Sequence, residues 1–394
     1  MEHDKLGVTK TVAGLLSSNS DSSVSLDKPL INDISPTSKV FYNLYDEKSI
    51  NKKGATSIAL IHNWLQHKVF IDEIKLSILK GAYVYGGKIS SRKGTFHFDG
   101  QLLLTSSKKL INSSFGIMDG NYTLSGNLIS GSSDGVDYSN CKVTDNADYD
   151  GTILKGWYYF LGGFHRHFGH FLVEGLSRLW ALDHLPKETK ENLKFVIYEN
   201  ELKNFMVDFL LLYGIDKSNI ISAGKCSRYE NLLVPDPSYR THRWISKSFQ
   251  NHIEIIKSKI QTNVKNRKIF LSRSNVSDRP LSNRKQVEKF FEEKGYEIIC
   301  PEKLTIKEQI KNMMESSSIV GEVGSQLYLS SFAQKNANLF VMAPTNFCLK
   351  DDYLLTKAAG VNIKILLGSC VDFNSEKFNR QWSVDIKKIE KIFR

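Results

Sequence analysis

The chain has 394 residues, 41% hydrophobic and 24% charged, which fits two domains of ordinary globular composition. Its formal net charge of +11 favours anionic partners without choosing among sugar nucleotides, anionic glycans, nucleic acid and membrane headgroups. The sequence excludes the zinc-finger, RNA-recognition and helix-turn-helix classes, and no run of about 18 apolar residues marks a spanning helix. The opening Met1-Glu2-His3-Asp4-Lys5 has no apolar signal core. The five cysteines, Cys141, Cys226, Cys300, Cys348 and Cys370, are scattered and show no CxxC spacing. Free thiols in a reducing compartment are expected. The protein therefore reads as cytoplasmic, with contact at the inner face of a membrane as an open addition.

Residues 1–38 are rich in Ser, Asp and Asn, as in Ser17-Ser18-Asn19-Ser20-Asp21-Ser22-Ser23, and read as a poorly ordered lead-in. The first domain is expected over 39–240. Its part 40–150 reads as β-rich, with short strands Ala82–Tyr85, Thr95–Phe98 and Gln101–Thr105 between Gly, Ser and Asn turns. Gly131, Ser132, Ser133, Asp134 and Gly135 mark a loop. A structural layer is the reading for this portion, with acceptor binding as the alternative.

From 151 to 240 the pattern becomes α/β. A strand over Gly156–Leu161 runs through Gly162-Gly163 into a helix from about Gly169, with Leu172, Leu176 and Leu179 on its buried side. His170 and Glu174 are four apart, so they share a face near the helix start. Three readings compete for this stretch. Glu174 or His170 is a general base. His165, His167 and His170 form a metal site, which the loose spacing disfavours. Or His170 caps the turn and Glu174 pairs with Arg178. Then come a strand Leu193–Tyr198, a helix Asn204–Tyr213 ended by Gly214, and strands Ile220-Ile221 and Glu230–Pro235. Pro235-Asp236-Pro237-Ser238 starts a linker, and a helix is expected over Trp244–Asn263.

The second domain, 241–394, alternates strands and helices, which predicts a parallel, doubly wound sheet. The strand Arg267–Arg273 ends in Ser-Arg. A turn with Arg279-Pro280 follows, and Asn283 opens the helix Arg284–Lys294, stopped by Gly295. Next come the strand Tyr296–Cys300 and the helix Ile306–Ser316, capped by Thr305 with Glu308 three residues on. The apolar run Ser318-Ile319-Val320 is read as a strand ended by Val-Gly. Gly324 permits a close backbone approach, and Ser325 is read as the N-cap of a helix near Gln326–Ala333. Strands Asn338–Met342 and Asn362–Leu367 complete the sheet. Doubly wound sheets bind ligands at the carboxyl ends of their strands. Arg273, Arg279 and the Gly324-Ser325 turn fall at those ends, which describes a diphosphate pocket. The last helix, 384–393, is amphipathic and basic. Packing on a core is its expected role, with a membrane-surface role as the alternative.

These residues resemble glycosyltransferase family 61, which includes bacterial capsular-polysaccharide enzymes and plant and animal sugar transferases. The likeness is carried by Ser272-Arg273, Arg279, Asn283, Gly295-Tyr296-Glu297, Pro301-Glu302-Lys303-Leu304, Glu308-Gln309 and Val320-Gly321-Glu322-Val323-Gly324-Ser325-Gln326-Leu327. It extends upstream to His170-Phe171-Leu172-Val173-Glu174-Gly175-Leu176-Ser177-Arg178-Leu179, with Phe171 in place of the family's Trp. Val323 stands where many members carry His, and Ser325 where they carry Ala, so a histidine contact to the donor does not transfer.

The resemblance implies an α/β fold of two facing Rossmann-like domains (GT-B type) with a β-rich N-terminal portion. Similarity to two-domain glycosyltransferases also implies that the last helix, 384–393, packs back on the first domain. It implies an inverting transfer from a nucleotide sugar, a UDP-sugar being expected, to a glycan or lipid-linked glycan acceptor. The expected donor contacts are Arg273, Arg279, Glu302, Gly324, Ser325 and Gln326. Glu174 and His170 are expected to be catalytic, and His165 and His167 to meet the acceptor. No cofactor and no metal are expected, because no Asp-x-Asp follows a predicted strand and the arginines can serve instead. A non-catalytic transferase-like binder is the competing reading, kept open by Val323. A dinucleotide-dependent dehydrogenase is disfavoured, since no GxGxxG follows an early strand.

Overall fold

The computed structural model describes residues 15–27, 41–42, 74–85, 102–107, 122–124, 127–129, 151–162, 167–197, 202–224, 226–240, 244–263, 266–344, 347–370 and 381–394. The expected strand Thr95–Phe98, the loop 131–135, His165 and Cys141 lie outside them. The described residues divide between two compact units. One lies within Met1–Pro29, Ile71–Thr241 and Ser246–His252; the other lies within Leu30–Phe70, His242–Ile245 and Ile253–Arg394. Each carries one large mixed sheet, so the class is α/β.

In the first unit, the long strand Ile74–Tyr85 pairs antiparallel with Ser22–Asp27, Leu102–Leu104 and Ser227–Pro235. Beyond it the sheet turns parallel, in the order Ser227–Pro235, Ile153–Gly162, Lys194–Ile197, Ile220–Ser222. Alternation along these strands sends Leu79, Tyr158, Phe160, Val196, Leu232 and Val234 into one apolar cluster. The chain leaves Gly162 and becomes helical at Phe168. Instead of one α-helix, the segment passes from Phe168–His170 through a π-turn, Phe171–Gly175, to a 3₁₀ stretch, Leu176–His184. The π-turn is visible in the bond from the Leu176 N–H to the Phe171 carbonyl. Such turns are rare and often mark functional positions.

Downstream, the helix expected over Trp244–Asn263 is shorter. A two-residue strand, Trp244–Ile245, precedes it, and the helix runs Lys247–Ser258.

In the second unit, five parallel strands stand in the order Glu297–Ile299, Arg267–Leu271, Ser316–Glu322, Asn338–Pro344, Asn362–Cys370. Numbered by sequence, this is 2-1-3-4-5, the doubly wound arrangement whose switch point lies between strands 1 and 3. Trp382–Ser383 joins the last strand antiparallel, and Phe41–Tyr42 pairs with it in parallel. The expected capping box forms, with Thr305 accepting from the Glu308 N–H and Glu308 reaching back. The run Ser316–Glu322 does not stop at Val320-Gly321. Gly321 lies within the strand, and a Cβ there would sit 2.8 Å from Leu327 and 3.3 Å from the Leu271 side chain. Glycine is needed here for close packing and not for a turn. The last helix, Ile386–Ile392, lays Ile386, Ile389, Ile392 and Phe393 on the apolar cluster of Phe270, Phe291, Val320 and Phe340 within this same unit. Phe393 meets Phe291 and Phe340 edge to face at 5.1 and 4.9 Å. Burying such a face accounts for the amphipathic pattern without a lipid surface.

His252, on the helix Lys247–Ser258, is fully buried against the Phe249 ring at 4.6 Å. Burial pushes its imidazole down from 6.5 to about 3. The unfolded chain therefore takes up this proton near pH 6.5, while the folded chain resists it until about 3. The stability held by the neutral ring is complete above that upper value and falls progressively as pH drops towards the lower, by on the order of 3–5 kcal/mol in full. The expected outcome is a thermal midpoint that falls between pH 6.5 and 4 more steeply for the wild type than for His252→Phe, measured by calorimetry.

Candidate functional site

The chemistry gathers at the carboxyl ends of strands, in one group per unit. In the second unit, Arg267–Leu271 ends at the switch point and delivers Ser272 and Arg273 to the sheet edge. The Ser272 hydroxyl donates to Glu288 Oε1 at 2.5 Å and accepts from the Ser274 N–H at 3.1 Å, which turns the chain. Arg273 is 6% exposed. Its Nη1 donates to Gln326 Oε1 at 3.1 Å and its Nη2 to the Asp278 carbonyl at 3.3 Å, while Nε is buried without a partner. These acceptors are neutral. A buried guanidinium is costly to desolvate without an anion to pair with, and burial pulls Arg273 below the usual guanidinium range.

Arg279 lies in the same field. It is 9% exposed, and its guanidinium stacks over the Phe347 ring at 4.2 Å. Burial, and then the charge of Arg273, lower it to about 10. Its backbone is left-handed, with φ at 51°, a conformation costing a non-glycine residue roughly 1–2 kcal/mol. Two buried cations, the charge of Arg273 depressing Arg279, define a place for negative charge.

The adjacent strand Ser316–Glu322 supplies the other wall. After it the chain passes Val323 and Gly324 into a 3₁₀ helix, Ser325–Phe332. The N-cap is Gly324 and makes no side-chain cap bond, so Ser325 is the first helical residue and not the cap as its residue type suggests. Gly324 has an extended backbone; its need for glycine is spatial. A Cβ there would lie 2.2 Å from Arg273 Nη1 and 2.6 Å from Gln326 Oε1. The absent side chain is what lets the guanidinium lie against the turn. First-turn amides of a helix have no intrahelical acceptor, so Gly324, Ser325 and Gln326 add donors beside Arg273.

Under this turn sits an ion pair to which sequence reading assigned no role. Glu322, 1% exposed, accepts from Arg284 Nε at 2.7 Å and Nη2 at 2.9 Å. Its backbone carbonyl accepts from Gln326 Nε2 at 2.7 Å. Gln326 thus ties strand end, turn and Arg273 together. A carboxylate closing the apolar run Ile319-Val320 was the available signal, because a buried acid requires a cation. The partner, far along the chain, could not be named from spacing. Glu302 is exposed and accepts from Asn275 Nδ2 at 2.6 Å, across the loop that follows Arg273. Gln309 is not a surface residue; it is buried and donates to the Leu304 carbonyl.

In the first unit, Gly162 ends its strand at φ 90°, and a Cβ there would lie 2.8 Å from Arg178 Nε. Arg178 is buried, lies over the Phe160 ring and donates to the Pro235 carbonyl. Tyr159 Oη donates to the Arg178 carbonyl. The Ser238 N–H and hydroxyl both donate to the Ser177 carbonyl, and Trp180 Nε1 to that of Asp236. The helical segment is therefore fastened to the carboxyl end of Ser227–Pro235. On its first turns His170 Nδ1 meets Glu174 Oε1 at 3.0 Å, with the two side chains 37% and 12% exposed. His167 caps the segment, its Nδ1 accepting from the Gly169 N–H at 3.2 Å, and its ring stands 5.3 Å from that of His170. The expected His170–Glu174 face thus forms as a bonded pair. A carboxylate in contact with imidazole can accept a proton from a hydroxyl while the ring orients it. Among the described residues, no three His, Cys, Asp or Glu side chains are placed to hold a metal ion.

Residues 168–340 match the Glycosyltransferase 61 family model. This supports the family and a transferase activity, over somewhat less than half of the chain. The matched span contains His170 and Glu174 as well as Arg273, Arg279, Glu302 and the 324–326 turn. Comparison with curated proteins returns no match. Val323 is 1% exposed and donates its N–H to the Met342 carbonyl, so it acts as a core residue.

Two outcomes follow from this geometry. Gly324→Ala should displace Arg273 and weaken binding of inorganic pyrophosphate, used as an anionic probe, by about tenfold with little change in fold, read by calorimetric titration and circular dichroism. Glu322→Ala leaves Arg284 without its carboxylate and should destabilise the protein by about 3 kcal/mol, measured by urea denaturation.

Proposed function

We propose that this protein is an inverting glycosyltransferase of the GT-B type, moving a sugar from a UDP-sugar to a glycan or lipid-linked glycan acceptor in bacterial surface-polysaccharide synthesis. The observation that carries the donor side is Arg273: a buried cation bonded only to neutral groups, lying against Gly324 at the switch point of a doubly wound sheet. The family match supports the transferase class, and the likeness to capsular enzymes suggests the biological setting. A cytoplasmic setting, with peripheral contact at the inner membrane face, agrees with such an acceptor.

Departure of a nucleoside diphosphate develops negative charge. Arg273, Arg279 and the turn amides are donors suited to stabilise it, so the reaction is expected to proceed without a divalent metal. Inversion requires a base for the acceptor hydroxyl. Glu174 is the choice, with His170 orienting it or taking its place, and His167 and His165 on the acceptor side. Val323 favours one second reading, a transferase-like protein that binds donor without turning it over.

Four measurements decide. Arg273→Ala should raise the donor Kd at least tenfold and slow transfer; unchanged affinity would refute the pocket. Glu174→Gln should lower kcat by about 10²–10⁴-fold while donor binding stays; normal turnover in both Glu174→Gln and His170→Ala would place the base elsewhere. Activity should survive EDTA, and loss restored by manganese or magnesium would sink the metal-free reaction. Donor binding without any transfer across a panel of glycan acceptors would favour the binder.

A further inference from the structure

Arg279 combines a buried charge with a left-handed backbone. Both are unfavourable in isolation, so something must hold the residue in place. The brace comes from the far end of the chain. Trp382 is 1% exposed, and its indole Nε1 donates to the Arg279 carbonyl at 2.9 Å. The Trp382 N–H donates to the Pro280 carbonyl at 3.2 Å, and the Trp382 carbonyl accepts from the Ser282 N–H at 2.8 Å and hydroxyl at 3.0 Å. One residue on, Asn283 makes no cap bond to its own helix. Its side chain instead donates to the Val384 carbonyl at 2.7 Å and accepts from the Val384 N–H at 3.3 Å.

The other side of this strap is fixed as well. Trp382–Ser383 pairs with Ser369 and Cys370 at the end of the last parallel strand. A Cβ on Gly368 would lie 2.3 Å from the Ser383 carbonyl and 2.8 Å from the Trp382 ring, so glycine is what allows the strap to seat. Residues 382–384 therefore lie between a rigid strand and the loop 279–283, and the indole N–H reaches the one residue of that loop with a left-handed backbone.

We propose that Trp382 is a positioning residue for the donor: it holds the Arg279 turn so that the guanidinium stays over Phe347 and beside Arg273. The strap lies outside the span matched by the family model, so this bracing is inferred from this chain's own contacts. The inference rests on the reading of Arg279 as a donor contact, and the test separates the two.

UDP and inorganic pyrophosphate are titrated calorimetrically into the wild type, Trp382→Phe, Arg279→Ala and the double variant, with circular dichroism as the fold control. Phenylalanine keeps most of the ring and loses the N–H. The expected result is about tenfold weaker UDP binding by Trp382→Phe and at least tenfold by Arg279→Ala, with the double variant no weaker than Arg279→Ala alone. Such non-additivity is the mark of two residues acting through one contact, and a merely structural role does not produce it. Unchanged affinity in Trp382→Phe, or the same loss in both backgrounds, overturns the positioning role while leaving Arg279 as a donor contact. Wild-type affinity in Arg279→Ala, or no binding of either probe to the wild type, removes the donor reading and this inference with it. If Trp382→Phe does not fold, Asn283→Ala loosens the same strap from Val384 and enters the same cycle with the same expected outcome.

Discussion

A guanidinium buried with only neutral hydrogen-bond partners is the constraint around which the second unit is arranged. Arg273 has lost most of its hydration and is offered an amide oxygen and a backbone carbonyl in return. Neutral acceptors compensate only part of the desolvation of a cation. The fold tolerates this because neighbouring elements are held by other means. Glu322 and Arg284 neutralise one another in a two-point pair below the turn. The Gln326 amide uses both ends, one on the Glu322 carbonyl and one on Arg273. Gly324 leaves the space that the guanidinium fills. Glu322, Asp278 and Glu302 act on Arg273 only through space, so a bonded anion is what a ligand would add.

The doubly wound strand order explains why these groups converge. Strands 1 and 3 are adjacent, and the chain leaves each at the same edge of the sheet. Arg273 follows one and Gly324 follows the other, so residues some fifty positions apart meet without any local sequence requirement. The first unit uses the same physics differently. Its parallel strands place Gly162 and Pro235 at one edge, and the segment Phe168–His184 is clamped there through Arg178, Ser177 and Trp180. The clamp lies in the later part of the segment. The π-turn precedes it, and His170 and Glu174 stand at its start, their contact supported by the four-residue spacing.

Local sequence determined a good deal of this. The Thr305–Glu308 box, the stop at Gly295, the parallel alternation of strands and helices, and the shared face of His170 and Glu174 all depend on neighbours within a few residues, where propensity and periodicity act. The sheet edge at which Arg273 and Gly324 gather followed from that alternation. Tertiary contacts decided the rest. Gly321 reads as a turn and is a packing glycine, because what it must avoid is Leu327 and Leu271. Ser325 reads as a cap and is not one, because Gly324 must accommodate Arg273. Asn283 opens its helix as its residue type suggests, but its side chain binds Val384, a hundred residues away. The partner of Glu322, the brace on Arg279 and the face covered by the last helix depend on strand order, and strand order is set by burial of the whole apolar cluster and not by any single stretch of chain.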